Sequence, residues 1–265
     1  MKLSCQEQLV PGDSVAAKWD LARRLGFDAI ELLGRGDLAF AARLPELRAA
    51  RAGGAVFSSV CVAMPNYVGE ADPEARRDAL ANVRSQLSVI AELGGAGVVT
   101  PTSFGKATNS LPPMRSPLTR DEHRRIMLDA ADELGRHAEA EGVLLLLEPL
   151  NRYETPFMHK LLTAIDICRE VGHPSLKVMG DLYHMNIEED DPNGSLREAG
   201  EWLAHVHVCD SNRAEPGAGH IDFAAVGEAL RSIGYEGHLA LECGLRAEPE
   251  TALRNAVALL RRTMG

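Results

Sequence analysis

Eight short apolar runs alternate with helical patterns along this chain, and that alternation leaves few architectures open to it. The runs lie at residues 2–6, 27–32, 55–61, 96–100, 143–148, 176–181, 204–209 and 238–242. Between and after them, helical patterns lie at 15–25, 38–51, 73–93, 120–141, 161–171, 195–203, 223–233 and 249–262. Strand–helix alternation of this kind implies parallel strands with helices covering the sheet. The 120–141 helix is the most clearly signalled: Thr119-Arg-Asp-Glu122 reads as a capping box, and Gly142 stands where a glycine would end it. At 265 residues the chain has room for one barrel of eight strand–helix units, which takes roughly 250. No linker divides it, so residues 1–265 are expected to form one domain. An open doubly wound sheet is disfavoured, because no G-x-G-x-x-G or phosphate-loop turn follows any run. The expected fold class is α/β, a closed (β/α)8 TIM barrel.

Four of the runs carry polar residues at or near their ends: Glu148, Asp181, His207 and Glu242, spaced 33, 26 and 35 positions apart. In a parallel array, polar groups at strand ends point toward one shared mouth. The spacing therefore reads as a metal site spread over four consecutive strand–helix units. Three carboxylates and one imidazole make an oxygen-rich set suited first to Mn²⁺, then to Mg²⁺, with Co²⁺ and Zn²⁺ as alternatives. With one divalent ion bound, such a set keeps roughly one excess negative charge and accepts neutral oxygen ligands, such as a sugar carbonyl and its neighbouring hydroxyl. Polarising that carbonyl acidifies the adjacent C–H and stabilises the enediolate formed when the proton leaves. Glu148 and Glu242 are the candidate acid and base.

Composition narrows the class further. A net charge of −10 argues against a protein that grips a nucleic-acid backbone. Five cysteines, an odd number with no C-x-x-C pair, suit small buried residues in a reducing compartment. The N-terminal segment turns polar before any apolar signal region forms, and no apolar run approaches the roughly 20 residues of a membrane span. A cytoplasmic protein is expected. Two loops, residues 64–72 with Tyr67 and the 18-residue stretch 101–118, are long enough to act as lids or binding loops over the mouth.

Three segments around the four residues carry a resemblance to a known family. They are Glu148-Pro-Leu-Asn-Arg-Tyr-Glu154, Asp181-Leu-Tyr-His-Met-Asn-Ile-Glu188, and His207-Val-Cys-Asp-Ser-Asn-Arg213 running on to Gly219-His-Ile-Asp222. The chain resembles the sugar isomerase and epimerase family with the xylose-isomerase-like barrel, and within it the ketose 3-epimerases of the tagatose 3-epimerase type. Gly26-Phe-Asp-Ala-Ile-Glu31 extends the likeness into the N-terminal half. The resemblance implies one divalent ion on Glu148, Asp181, His207 and Glu242. It gives Glu148 and Glu242 the proton transfers on opposite faces of the ketose, and makes Glu154, His184 and Arg213 the residues that hold the sugar's first oxygens. It also implies a small-molecule sugar as partner and allows self-association. His159 and Lys160 depart from the Asn-Thr pair usual in those epimerases, and aromatic residues are few, which bears on the substrate.

Four other readings compete with this one. Hydroxypyruvate isomerases and inosose dehydratases use the same kind of ligand set. An apurinic-site endonuclease also has an Asp-x-x-His element, and His220 with Asp222 echoes a later one in reversed order. That enzyme needs histidines from its N-terminal strands, and this chain has none before His123. Asp222 reads equally well as the cap of the next helix. A catalytically inactive binding barrel would have lost a ligand, and none is missing.

Overall fold

The structure, a computed structural model, describes residues 1–36, 38–105 and 116–265. Eight parallel strands close in sequence order: β1 Lys2–Gln6, β2 Ala29–Arg35, β3 Phe57–Ala63, β4 Gly97–Pro101, β5 Leu144–Glu148, β6 Leu176–Asp181, β7 Leu203–Val208 and β8 His238–Leu241, the last pairing back to β1. The helices are α1 Val15–Leu25, α2 Ala39–Ala42, α3 Leu44–Ala52, α4 Pro73–Leu93, α5 Arg120–Glu141, α6 Leu161–Val171, α7 Leu182–Glu188, α8 Pro192–Ala199, α9 Phe223–Ser232 and α10 Pro249–Met264. The expected barrel is the observed one. Among the described residues no helix is long and apolar enough to cross a membrane. All five cysteines are free thiols.

Where boundaries move, local chemistry explains the move. Gly26 ends α1 in the left-handed region, and Phe27 still donates its N–H back to Ala22. The next strand consequently starts at Ala29, not at 27, and runs on to Arg35 against β3. The single helix expected over 38–51 is two, because Pro45 cannot continue the hydrogen-bond ladder and instead sits in the first turn of α3. The capping box of α5 is present in full, with Thr119 and Glu122 each bonding the other's backbone, and Gly142 closes the helix at φ 71°. The pattern expected at 195–203 begins earlier, at Pro192 behind the Asp191 cap. It stops at Gly200, which leads through a short 3-10 turn into β7. α7 was not expected at all, and it shapes the site.

The run Leu144–Glu148 shows how the fold delivers polar groups to the mouth. Leu145 and Leu147 pack into the main core of the protein, while Leu146 joins Cys61, Val99 and Met179 in a separate apolar cluster. Both faces of the strand are buried, which is why the run reads as continuously apolar. Side chains alternate along a strand, so Glu148 lies on the same face as Leu146, one step nearer the C-terminal end. Strand ends of the neighbours are level with it: Pro101 pairs with Glu148, and Asp181 pairs with His207.

Candidate metal centre and active site

Asp181 is at once the last residue of β6 and the cap of α7. Its Oδ1 accepts from the N–H groups of Tyr183 at 2.7 Å and His184 at 3.2 Å, which leaves Oδ2 to face the barrel mouth. Glu242 follows β8 directly, with its N–H bonded to the Val208 carbonyl. Around His207 Nδ1 stand Glu242 Oε2 at 2.9 Å, Glu148 Oε1 at 3.5 Å and Asp181 Oδ2 at 3.8 Å. The four expected ligands thus converge, each offering an atom within 4.8 Å of the others.

The donor set fits a divalent cation. His207 Nε2 lies 2.9 Å from the Glu31 carboxylate, which can only accept, so the ring hydrogen is on Nε2. In the neutral ring Nδ1 is then a lone pair, fully buried, without a hydrogen-bond partner, and aimed at three carboxylates. Burial alone would depress the imidazole's pKa, yet Glu31, Glu242 and Glu148 hold it well above the ordinary value. The surroundings of Nδ1 therefore favour positive charge at that atom. Arg213 supplies some nearby, with Nη1 at 2.5 Å from Asp181 Oδ2 and Nη2 at 2.6 Å from Glu242 Oε2.

The two glutamates are driven apart electrostatically. Burial, reinforced by the charge of Glu242, raises the Glu148 carboxyl despite His207. Burial also opposes ionisation of Glu242, but His207 and Arg213 outweigh it and hold that group well below the usual carboxylate range. A pair of carboxyls with opposite shifts in one site is the arrangement that acid–base chemistry needs.

Of the three residues expected to hold substrate, two line the cavity beside this cluster. It has a volume of about 140 Å³, and its walls include Glu148, Glu242, His184 and Arg213 together with Gln6, Tyr67 and Phe104. His184 is buried, and its Nδ1 faces the Asn151 backbone N–H at 3.2 Å and side-chain amide at 2.8 Å. Nδ1 accepting from Asn151 leaves the ring hydrogen on Nε2. Glu154 stands back from the cavity wall and reaches His184 only through Asn151, whose amide donates to Glu154 Oε1 at 3.2 Å. Arg213 is fixed by its loop. Buried Asp210 accepts from the N–H groups of Ser211, Gly217 and Ile221, and its carbonyl accepts from Arg213 N–H, which holds Arg213 at φ 61°.

Sequence reasoning passed over several residues around the cluster. Glu31 enters the sequence reading only as the end of the 26–31 segment, and His205 only as a member of the 204–209 run. Both sit in the buried network under His207, and both carried a signal. Glu31 is another carboxylate in an apolar run, and His205 precedes His207 by the two positions that put side chains on one strand face. Phe104 and Asn151 carried no such signal. Tyr67 does reach the cavity, as expected of the 64–72 loop, and Gly69 ties that loop to Thr102. Of the 101–118 loop, residues 106–115 lie outside the described residues. His159 bonds the Thr155 carbonyl, His220 bonds Ser211, and Asp222 caps α9 by accepting from Ala224 and Ala225. None of these three lines the cavity.

Residues 19–263 match the xylose isomerase-like TIM barrel family. The chain is 35% identical over 266 residues to 3-dehydro-D-guloside 4-epimerase of Escherichia coli, covering 98% of this chain and 99% of that protein. It is 42% identical over 115 residues to D-psicose 3-epimerase of Ruminiclostridium cellulolyticum, covering 43% of this chain and 39% of that one. Among solved structures, the apo form of 3-keto-D-glucoside 4-epimerase from E. coli superposes with a TM-score of 0.92 at 33% identity over 99% of both chains. The eight-stranded closed barrel and the full-length match together show that the chain belongs to the xylose isomerase-like TIM barrel family.

Proposed function

We propose that this chain inverts a sugar carbon next to a keto group, with a 3-keto glycoside, epimerised at C4, as the substrate. The observation that carries the chemistry is the convergence of Glu148, Asp181, His207 and Glu242 beside a cavity of sugar size. A relative matched end to end is an epimerase acting on a sugar, and this chain is an enzyme of that class. In the proposed division of labour Glu148 and Glu242 act on opposite faces of the substrate. One removes the proton next to the ketone, giving an enediolate, and the other returns a proton to the opposite face. His184, with Nδ1 engaged by Asn151, donates Nε2–H to the keto oxygen, and Arg213 places positive charge where negative charge grows. Glu154 steadies His184 through Asn151. Glu148, Asp181, His207 and Glu242 would hold the divalent ion, Mn²⁺ first, and it would supply Lewis-acid polarisation of the keto group.

The second reading is ketose 3-epimerisation, which the match to D-psicose 3-epimerase favours. The two reactions share one step, loss of the proton beside a ketone; only the position of that ketone on the sugar differs. Identity over the full length favours the first: the 4-epimerase is 35% identical over 98% of the chain, whereas ketose 3-epimerase of Arthrobacter globiformis is 28% identical over 91% of it. His159 and Lys160, which replace the pair usual in ketose 3-epimerases, agree with that choice. The phosphodiesterase reading falls away, because the N-terminal strands and the loops after them contribute Gln6, Gln8, Leu33, Cys61 and Tyr67 to the cavity instead of metal-binding histidines.

A competition assay decides the substrate. With Mn²⁺ present, kcat/KM for a methyl 3-keto-D-glucoside is expected to exceed that for D-psicose, D-fructose or L-ribulose by about 100-fold. The reverse preference would establish the ketose reading.

A further inference from the structure

Glu31 lies on β2, outside the four-residue set, and is completely buried. A carboxylate in such a place is costly unless its lone pairs are filled. Here they are. Oε1 accepts from Ser59 Oγ at 2.7 Å, His205 Nε2 at 2.9 Å and His207 Nε2 at 3.1 Å, and Oε2 accepts from Gln6 Nε2 at 3.1 Å and also lies 2.9 Å from His207 Nε2. The donors come from β1, β3 and β7, so the position of Glu31 is fixed by three other strands. Since the carboxylate can only accept, each imidazole must present its hydrogen at Nε2. For His207 that leaves Nδ1 as the lone pair in the midst of Glu148, Asp181 and Glu242. Gln6 adds a second connection, because its side chain also bonds Glu242 and is itself held by Gln8.

We propose that Glu31 is a positioning residue that selects the Nε2–H tautomer of His207 and fixes its ring, and so sets the affinity of the four-residue site for its ion. The proposal rests on the metal reading given above. Its chemistry is a carboxylate–imidazole–cation relay, in which the outer carboxylate orients the ring and raises its basicity. His205 and Ser59 act as braces on Oε1, holding the carboxylate against His207 Nε2. A network that merely stabilised the barrel would not need its carboxylate on the one nitrogen that decides which face of His207 can bind a cation.

Mn²⁺ titration followed by electron paramagnetic resonance of the free ion, on wild type, E31Q, E31D and S59A, tests this. E31Q keeps the shape but replaces one acceptor oxygen by an NH₂ group, and it is expected to weaken Mn²⁺ binding by about 10- to 100-fold. E31D, which keeps two acceptor oxygens, should recover part of that loss. S59A, a milder change made in case E31Q does not fold, should weaken binding by roughly 2- to 5-fold. Nitrogen-15 spectra of histidine-labelled wild type, before Mn²⁺ is added, should give His207 a protonated Nε2. Mn²⁺ affinity unchanged in folded E31Q, or a protonated Nδ1 with bare Nε2 in wild type, would overturn the role of Glu31 alone. Failure of wild type to bind Mn²⁺ would overturn the metal reading itself.

Discussion

Glu242→Gln is expected to lower kcat/KM for epimerisation by about a thousandfold or more, and Glu148→Gln to do the same, with each variant still folded by circular dichroism. An amide neither takes nor holds a proton at this site, and general acid–base catalysis alone contributes about 10²–10⁴-fold. The two losses should nevertheless differ in kind. Epimerisation by two residues on opposite faces gives each epimer its own base, so the variant lacking one glutamate still has the base for the other epimer. At saturating Mn²⁺, E148Q should continue to exchange the C–H proton of the epimer that Glu242 serves, without inverting it, and E242Q should show the converse. Without an ion, burial raises the Glu148 carboxyl while His207 and Arg213 hold that of Glu242 low, so the two glutamates enter the reaction from different surroundings. Loss of inversion in both variants with exchange retained for opposite epimers would assign the two roles. Full activity in either variant would remove that glutamate from the mechanism.

Stripping divalent ions with a chelator is expected to abolish turnover, and adding Mn²⁺ to restore it. Three carboxylates gathered about one imidazole repel one another, and a cation that binds only the folded chain stabilises it by mass action. At a Mn²⁺ concentration about 100 times Kd the gain is about 2.7 kcal/mol. For a chain of this length that corresponds to a rise in Tm of roughly 5–10 °C. Asp181→Asn should reduce both effects, and in addition it alters the cap of α7 that carries His184. Turnover undiminished after exhaustive chelation, with no thermal shift on adding Mn²⁺, would contradict a metal-dependent reaction.

The barrel and the four-residue cluster were legible because they rest on local, repeated signals. Apolar runs buried on both faces, and a polar residue ending each of four of them, can be read along the chain without knowing what lies opposite. The start of β2 was misplaced because Phe27 looks like strand but closes α1, and the 38–51 helix was joined because Pro45 was given too little weight. α7 escaped because its cap, Asp181, had been read only as a ligand, whereas its Oδ1 caps the helix and its Oδ2 faces His207. Glu31 and His205 escaped for a different reason. Their meaning lies in pairing between β2 and β7, elements separated by 174 positions, and only closure of the barrel brings them together. The position of Glu154, linked to cavity-lining His184 through Asn151, likewise depends on a loop whose path has no periodicity to read.

Proton exchange in D₂O tests the central claim most directly. Mn²⁺-loaded enzyme is incubated with a methyl 3-keto-D-glucoside, and the C4 proton is followed by NMR alongside the C3 proton of D-psicose. The expected result is Mn²⁺-dependent deuterium at the carbon beside the ketone, accompanied by the epimer inverted there. Inversion without deuterium, or no exchange on any keto sugar while Mn²⁺ is demonstrably bound, would contradict proton transfer by Glu148 and Glu242 and the function built on it.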